Sequence, residues 1–452
     1  MRSSVSWGDR LRELAEQGRV TGAVLGIWAD GEEIAASFGV LSTATRVPVT
    51  TDSLFQLGSI TKVWTATMIM QLIEEGRLSI STPTTQVLPS VRLTDGDVGA
   101  EVTIRHLLSH TSGIDGDVLV DTGRGDDCVE RYVAELAKAA SVFPAGTAFS
   151  YCNSGFVLLG RIIETLDGRS WDESLRERLT GPLGLMETVT LPEEAILHRA
   201  AVGHHEDGDP VPFWSLPRGT GPASGVVASA RDLLRFARLH LDDGRTPSGK
   251  RLLDPDSAKA MRLPHVAVPD FADPGAAMGL GWLLGCWGNR TIVGHDGGTV
   301  GQSAYLRIDP EARLAACLLT NSEQARSLFD TLFADVFRHY AGTTMPASPR
   351  PVDGPPPPRL ERHSGRYERP ARRFDVSFRD GRLHVTITPT DRLATLTDQA
   401  PDEFVLYQAD SSGVNFVYRS GDDEPWTPVS FGQLGNGTPY LFLGRRVAPR
   451  TA

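Results

Sequence analysis

Lysine is almost missing from this chain. Only Lys62, Lys138, Lys250 and Lys259 occur among 45 basic residues, and the other 41 are arginines. Arginine keeps its proton in proteins, so a side-chain amine acting as a base has only four possible seats. Cysteine is as sparse. Cys128, Cys152, Cys286 and Cys317 are far apart, with no Cys-x-x-Cys pair and no zinc-ligand spacing. This excludes a disulfide scaffold and predicts four reduced, mostly buried thiols; no metal and no cofactor is called for. No stretch is long and apolar enough to span a membrane. Residues 1–10 have no apolar core of the signal-peptide kind, so the expectation is a cytoplasmic protein with no membrane partner. A net charge of −11 argues against nucleic acid as a main partner.

What is present suits a globular chain of about two domains. The 452 residues are 40% hydrophobic. Residues 10–17 read as a short helix. An apolar run over 22–29, an Asp30-Gly31 turn and a return over 32–40 read as a β-hairpin. Helices are predicted after Ser59, over 156–166 and 171–179, and after Ser229; Thr103 caps a shorter one. Residues 116–127, rich in Gly and Asp, read as a surface loop bordering a cleft. Short strands follow over 281–284, 291–293, 304–308 and 314–319, then a helix over 328–340. Strands at both ends of a helical middle predict one sheet built from the two ends of the domain. Residues 343–359 hold Pro346, Pro349, Pro351 and the run Pro355 to Pro358, a stiff linker. Beyond it, alternation over 374–378, 383–387 and 404–407 predicts a separate small all-β domain, barrel or sandwich. The expected division is therefore 1–342, the linker 343–359, and 360–452.

Chemistry concentrates at Gly58-Ser59-Ile60-Thr61-Lys62. Val63, Ala66, Ile69, Met70 and Ile73 recur at helical spacing behind it, and Gly76 stops the run. Residues three apart are neighbours on a helix, so Ser59 and Lys62 can meet at its first turn. That turn offers free backbone N–H groups and a positive dipole end. A serine becomes a useful nucleophile when a base takes its proton. Lys62 is the one lysine with a serine three positions before it.

Two further stretches complete a set. Tyr151-Cys152-Asn153 precedes a helix, and His295-Asp296-Gly297-Gly298-Thr299 lies among strands. A phenol needs a nearby cation to act as a base near neutral pH. Lys62 supplies that cation, or is itself the base while Tyr151 donates to the leaving group; the residues leave both open. Asn153 has a donor and an acceptor with which to position Lys62 and a substrate amide. His295 can donate towards Tyr151 or a substrate carboxylate. Gly297 and the residues up to Thr299 let a substrate backbone approach. The N–H groups of Gly298 and Ser59 can form an oxyanion hole. His110, at a helix end, reads as structural.

In this order, Ser59-x-x-Lys62, Tyr151-x-Asn153 and His295-x-Gly297 resemble the penicillin-recognising serine enzymes, which include class C β-lactamases, D-alanyl-D-alanine carboxypeptidases and esterases. The stretches 106–113, 181–185 and 278–282 resemble that family too, over about 20–340. The resemblance implies an α/β, β-lactamase/transpeptidase-like fold: an antiparallel sheet flanked by helices, with a helical lobe. It also implies catalytic roles for Ser59, Lys62, Tyr151, Asn153 and His295. The third motif departs from the Lys-Thr-Gly of class C β-lactamases, which favours a carboxypeptidase, esterase or acyltransferase over an efficient β-lactamase.

The two-domain plan, with its linker and lipocalin-like β domain, resembles the penicillin-binding-protein-type thioesterases. Those release nonribosomal peptides from a carrier protein, usually by macrocyclisation. Under that resemblance the substrate is a peptidyl thioester, or an ester or amide analogue, a carrier protein is the partner, and Arg446 reaches the cleft to grip a carboxylate. The rivals are a cytosolic carboxylesterase, a D-amino-acid peptidase or carboxypeptidase, a weak β-lactamase, and a non-catalytic penicillin-binding protein.

Overall fold

The structure is a computed structural model that describes residues 5–92, 101–273, 275–323, 325–390, 400–421 and 424–452. Its first unit is built on an eight-stranded antiparallel sheet. From one edge to the other the strands are Glu32–Gly39, Gly22–Ala29, Leu314–Thr320, Gln302–Asp309, Arg290–Thr299, Leu283–Trp287, Ala277–Met278 and Val266–Ala267. The sheet is thus made from both ends of the domain. Asp30 and Gly31 both take positive φ in the first hairpin, the geometry that two-residue turns require.

All eight residues of Gly22–Ala29 are buried, because both faces of the sheet are covered. Val24 and Trp28 face the helical lobe and pack with Leu233 and Leu234. Ala23, Leu25 and Ile27 face the other way, onto Leu11, Phe329 and Phe333 of helices Trp7–Gln17 and Arg326–Ala341. The alternation of a strand therefore feeds two separate cores.

The helix Thr61–Glu74 runs through the lobe. It was expected to bury one face, yet every residue from Thr61 to Leu72 is buried. Its threonines satisfy themselves: Thr65 donates to Pro222 O at 2.7 Å and Thr67 to Val63 O at 2.8 Å. Three other expectations shift. The strand expected at 281–284 starts at Leu283, because Gly281, at φ +86°, lies where a Cβ would come within 2.5 Å of the Ala66 Cβ. The helix expected over 171–179 ends at Leu175 and gives way to a π turn, Arg176–Thr180. The strand expected over 291–293 runs through to Thr299, so the Gly-rich motif lies in a strand.

The second unit is a nearly closed barrel of eight sequential antiparallel strands, from Gly365–Arg369 to Arg446–Pro449. A bridge between Tyr367 and Arg450 brings its ends together. The barrel docks on the first unit through a small apolar core of Phe143, Phe149, Tyr151 and Met278 with Leu434, Phe442 and Val447. All four cysteines are free; three are buried and Cys286 is exposed. Among the described residues, no helix is long and apolar enough to cross a membrane.

Candidate active site

Ser59 sits in a short 3-10 turn, Gly58–Ile60, that leads straight into helix Thr61–Glu74. Lys62 Nζ lies 3.0 Å from Ser59 Oγ and donates to Ala223 O at 2.9 Å. The lysine is wholly buried. No carboxylate forms an ion pair with it among the described residues. Burial drives its pKa well below the ordinary lysine value, and the Arg446 cation adds to this; Cys152 and Asp117 oppose it weakly. Because a carbonyl only accepts, Lys62 spends an N–H on Ala223, and its neutral form keeps a lone pair for the Ser59 proton.

Tyr151 packs over Lys62, whose Nζ is 4.9 Å from the ring centroid. Its hydroxyl is buried and has no hydrogen bond of ordinary geometry within the protein. Burial pushes the phenol well above its usual pKa, only partly offset by the Ser59 hydroxyl and the two arginines 445 and 446. At rest the phenol is therefore protonated. His110 lies tilted over it, with ring centroids 4.3 Å apart, and its Nδ1 accepts from Cys152 N at 3.0 Å. The Cys152 sulfur caps the helix Asn153–Asp167 by accepting from Gly155 N.

Asn153 and His295 take partners other than those expected. Asn153 Nδ2 donates to Asp117 Oδ1 at 3.2 Å, while the hydrogen bonds of Lys62 run to Ser59 and Ala223. His295 was expected to donate towards Tyr151 or a substrate carboxylate. Its Nδ1 instead lies 2.6 Å from Asp296 O, and since that oxygen only accepts, the proton sits on Nδ1. Nε2 is then a buried acceptor with no partner in the protein. Burial, with Lys62 beside it, lowers the imidazole to about 3, so the ring is neutral. The ring centroids of Tyr151 and His295 are 6.0 Å apart.

The strand Arg290–Thr299 is paired on both sides only as far as Gly294; from His295 on, Leu283–Trp287 no longer pairs with it. That free edge lies against Ser59. A Cβ on Gly58 would come 2.7 Å from Gly298 N, and one on Gly297 would overlap Leu57 O and come 3.2 Å from Ser59 N. Glycine is needed at both positions for this approach. A Cβ on Gly298 would meet nothing within 4 Å, so the strand is open to the cleft there. The buried Thr299 Oγ1 has no protein partner.

The barrel supplies the remaining wall. Arg446 holds its guanidinium 5.2 Å from the Tyr151 ring centroid and bonds Asp117 Oδ1 at 2.7 Å. It reaches the cleft, but with a carboxylate of the protein already in its grip. Arg369 holds the other Asp117 oxygen at 3.1 Å. Burial raises the Asp117 carboxyl, but Arg446 and Arg369 outweigh it and hold the group below its usual range. Asp117 and Arg369 were missed by the sequence reading, and Arg445 was expected at the cleft only as part of the stretch Gly444-Arg445-Arg446. Asp117 lay in the loop expected to border a cleft. The one signal for Arg445 was an arginine in a tight Gly-Arg hairpin turn.

This fold and this serine–lysine–tyrosine cluster define a serine hydrolase. The chain matches the profile of the family described as Beta-lactamase over residues 8–337, and it belongs to that family. It is 44% identical over 375 residues to penicillin-binding protein 4 of Amycolatopsis lactamdurans, covering 80% of this chain and 97% of that one. SurE has a TM-score of 0.80 and 29% identity, with 99% of this chain and 98% of SurE covered. Its structure with D-Leu gives 0.78. The D-amino acid amidase of Ochrobactrum anthropi SV3 aligns over 70% of this chain and 90% of its own, with 25% identity and a TM-score of 0.59.

Proposed function

We propose that this serine hydrolase releases a peptide from a carrier-bound thioester and closes it into a macrocycle. Ser59 Oγ attacks the thioester carbonyl while Lys62 Nζ takes its proton. The C–S bond breaks, and the thiolate leaves with a proton delivered through Tyr151 and Lys62. An amine of the bound peptide then attacks the Ser59 ester; the C–O bond breaks, and the same route returns a proton to Ser59. The N–H groups of Ser59 and Gly298 receive the oxyanion in both steps; losing such a donor costs about 3 kcal/mol of transition-state stabilisation. Burial favours Lys62 as the resting base and Tyr151 as the proton donor. Asn153, Gly297 and Thr299 contact the substrate backbone. A carrier protein is the partner, in the cytoplasm.

The observation that carries this reading is the likeness to SurE through both domains, with the barrel turn seated against Tyr151. The D-Leu of the SurE complex supports a D-configured residue in the peptide. An acyl-thioester peptide mimic tests it, with cyclic and linear products separated by mass. If the protein neither cyclises nor hydrolyses the mimic, yet turns over a chromogenic ester or a cephalosporin, the thioesterase reading is lost. A D-amino-acid amidase or peptidase is the second reading, supported by the likeness to the Ochrobactrum amidase. Turnover of D-amino-acid amides in place of the thioester would select it.

A further inference from the structure

The turn between the last two barrel strands is unusual in composition. Leu443 pairs with Arg446, so Gly444 and Arg445 are its two central residues, and both have φ +61°. Among the described strand hairpins, the other two-residue turns with both φ values positive are Asp30-Gly31 and Asp380-Gly381. Glycine and asparagine adopt such a conformation readily, and an arginine is strained in it. A strained residue at the mouth of a cleft is a reason to ask what its side chain does.

Arg445 touches both walls of the site. Its carbonyl accepts from Tyr151 N at 2.8 Å. Its guanidinium lies 3.7 Å from Asp296 Oδ2, and Arg307 holds the other oxygen of that carboxylate at 2.6 Å. Asp296 in turn offers its carbonyl to His295 Nδ1, the contact that puts the imidazole lone pair on Nε2. Asp296, Arg307 and Arg445 line a cavity of about 620 Å³ between the two domains, so the side chain at 445 can be shortened without leaving a hole in a packed core.

We propose that Arg445 is a positioning residue. It sets the spacing of Tyr151 and His295, holding one through its own carbonyl and the other through Asp296. The barrel thereby completes the site without touching the reacting atoms. The proposal rests on the reading of Ser59 as the acylated residue.

The turn geometry supplies a clean test. Arg445→Asn suits the positive φ and removes the cation. The variant is expected to keep or raise Tm, yet to lower kcat for a chromogenic ester about tenfold or more, with KM within about twofold. Arg445→Lys is expected to recover most of the rate. Asp296→Asn is expected to lower kcat similarly, and the double variant to be no slower than the slower single one. Wild-type kcat in Arg445→Asn, a loss matched by a fall in Tm, or fully additive losses would overturn the proposal. If the wild-type enzyme itself turns over no ester and takes no fluorophosphonate, the catalytic reading has failed. The ¹⁵N shifts of His295 then decide. Arg445→Asn should lose the single Nδ1–H tautomer, and an unchanged ring would overturn the proposal.

Discussion

Lys62 and Arg446 reach the same tyrosine from different domains. Lys62 comes from the start of a buried helix, has no exposed surface, and bonds a hydroxyl and a carbonyl. Arg446 comes from a barrel hairpin and is bound to Asp117. A buried amine without a counter-ion is driven towards its neutral form, whereas a guanidinium beside a carboxylate stays charged. The second cation depresses the first. Lys138 shows the ordinary alternative: it is exposed and paired with Glu135 at 2.7 Å. One domain thus holds an amine driven towards its neutral form, and the other holds a fixed charge that helps keep it there.

The largest effect that could break this contrast is at Lys62. Lys62→Met should slow acylation of Ser59 about 10³-fold without lowering Tm near neutral pH, since a desolvated amine is replaced by an apolar chain. Because the folded pKa is lowered, the unfolded chain binds the extra proton between the folded value and about 10.4. Wild-type stability should therefore rise with pH through that window, and the variant's should not. Thermal melts over pH, with single-turnover labelling, check both.

Tyr151→Phe comes next, with an expected loss of about 10²-fold in kcat and an unchanged fold by circular dichroism. Asp117→Asn sharpens the other half of the contrast. It releases Arg446 and Arg369 together and should cost about 3 kcal/mol in urea unfolding. The Asp117 pKa is lowered by folding, so its contribution is present above about 4 and lost as pH falls through its folded value.

Asp115→Asn is the smallest and has the opposite sign. Burial, with the Asp117 charge adding to it, raises Asp115 to about 6, against a hydrogen bond from Asp117 N and the Arg369 and Arg446 cations. Its contribution is whole below about 3.9 and lost as pH rises through 6. The variant should gain roughly 2 kcal/mol at pH 7, and the gain should vanish below about pH 4.

Much of the catalytic wall was readable because it depends on local spacing. Ser59 and Lys62 meet across one helical turn, Gly76 ends that helix at φ +71°, and Asp30-Gly31 sets the first hairpin. The partners of Asn153 and His295 were not readable. Asn153 bonds a loop aspartate 36 residues away, and the His295 tautomer follows from a neighbouring carbonyl whose direction only the strand fixes. The barrel's share was the least legible. Arg369 and Asp117 are 252 residues apart, and nothing in the pattern around either announces the pair. Burial of every residue from Thr61 to Leu72 was hidden for a similar reason: the threonines look exposed until their carbonyl partners are known.

The most direct measurement is the pH dependence of fluorophosphonate labelling, with the modified residue located by mass spectrometry. The account predicts one adduct, on Ser59, forming through an inflection well below the ordinary lysine value and absent in Ser59→Ala. An adduct elsewhere, no adduct, or an inflection at the ordinary value would contradict it.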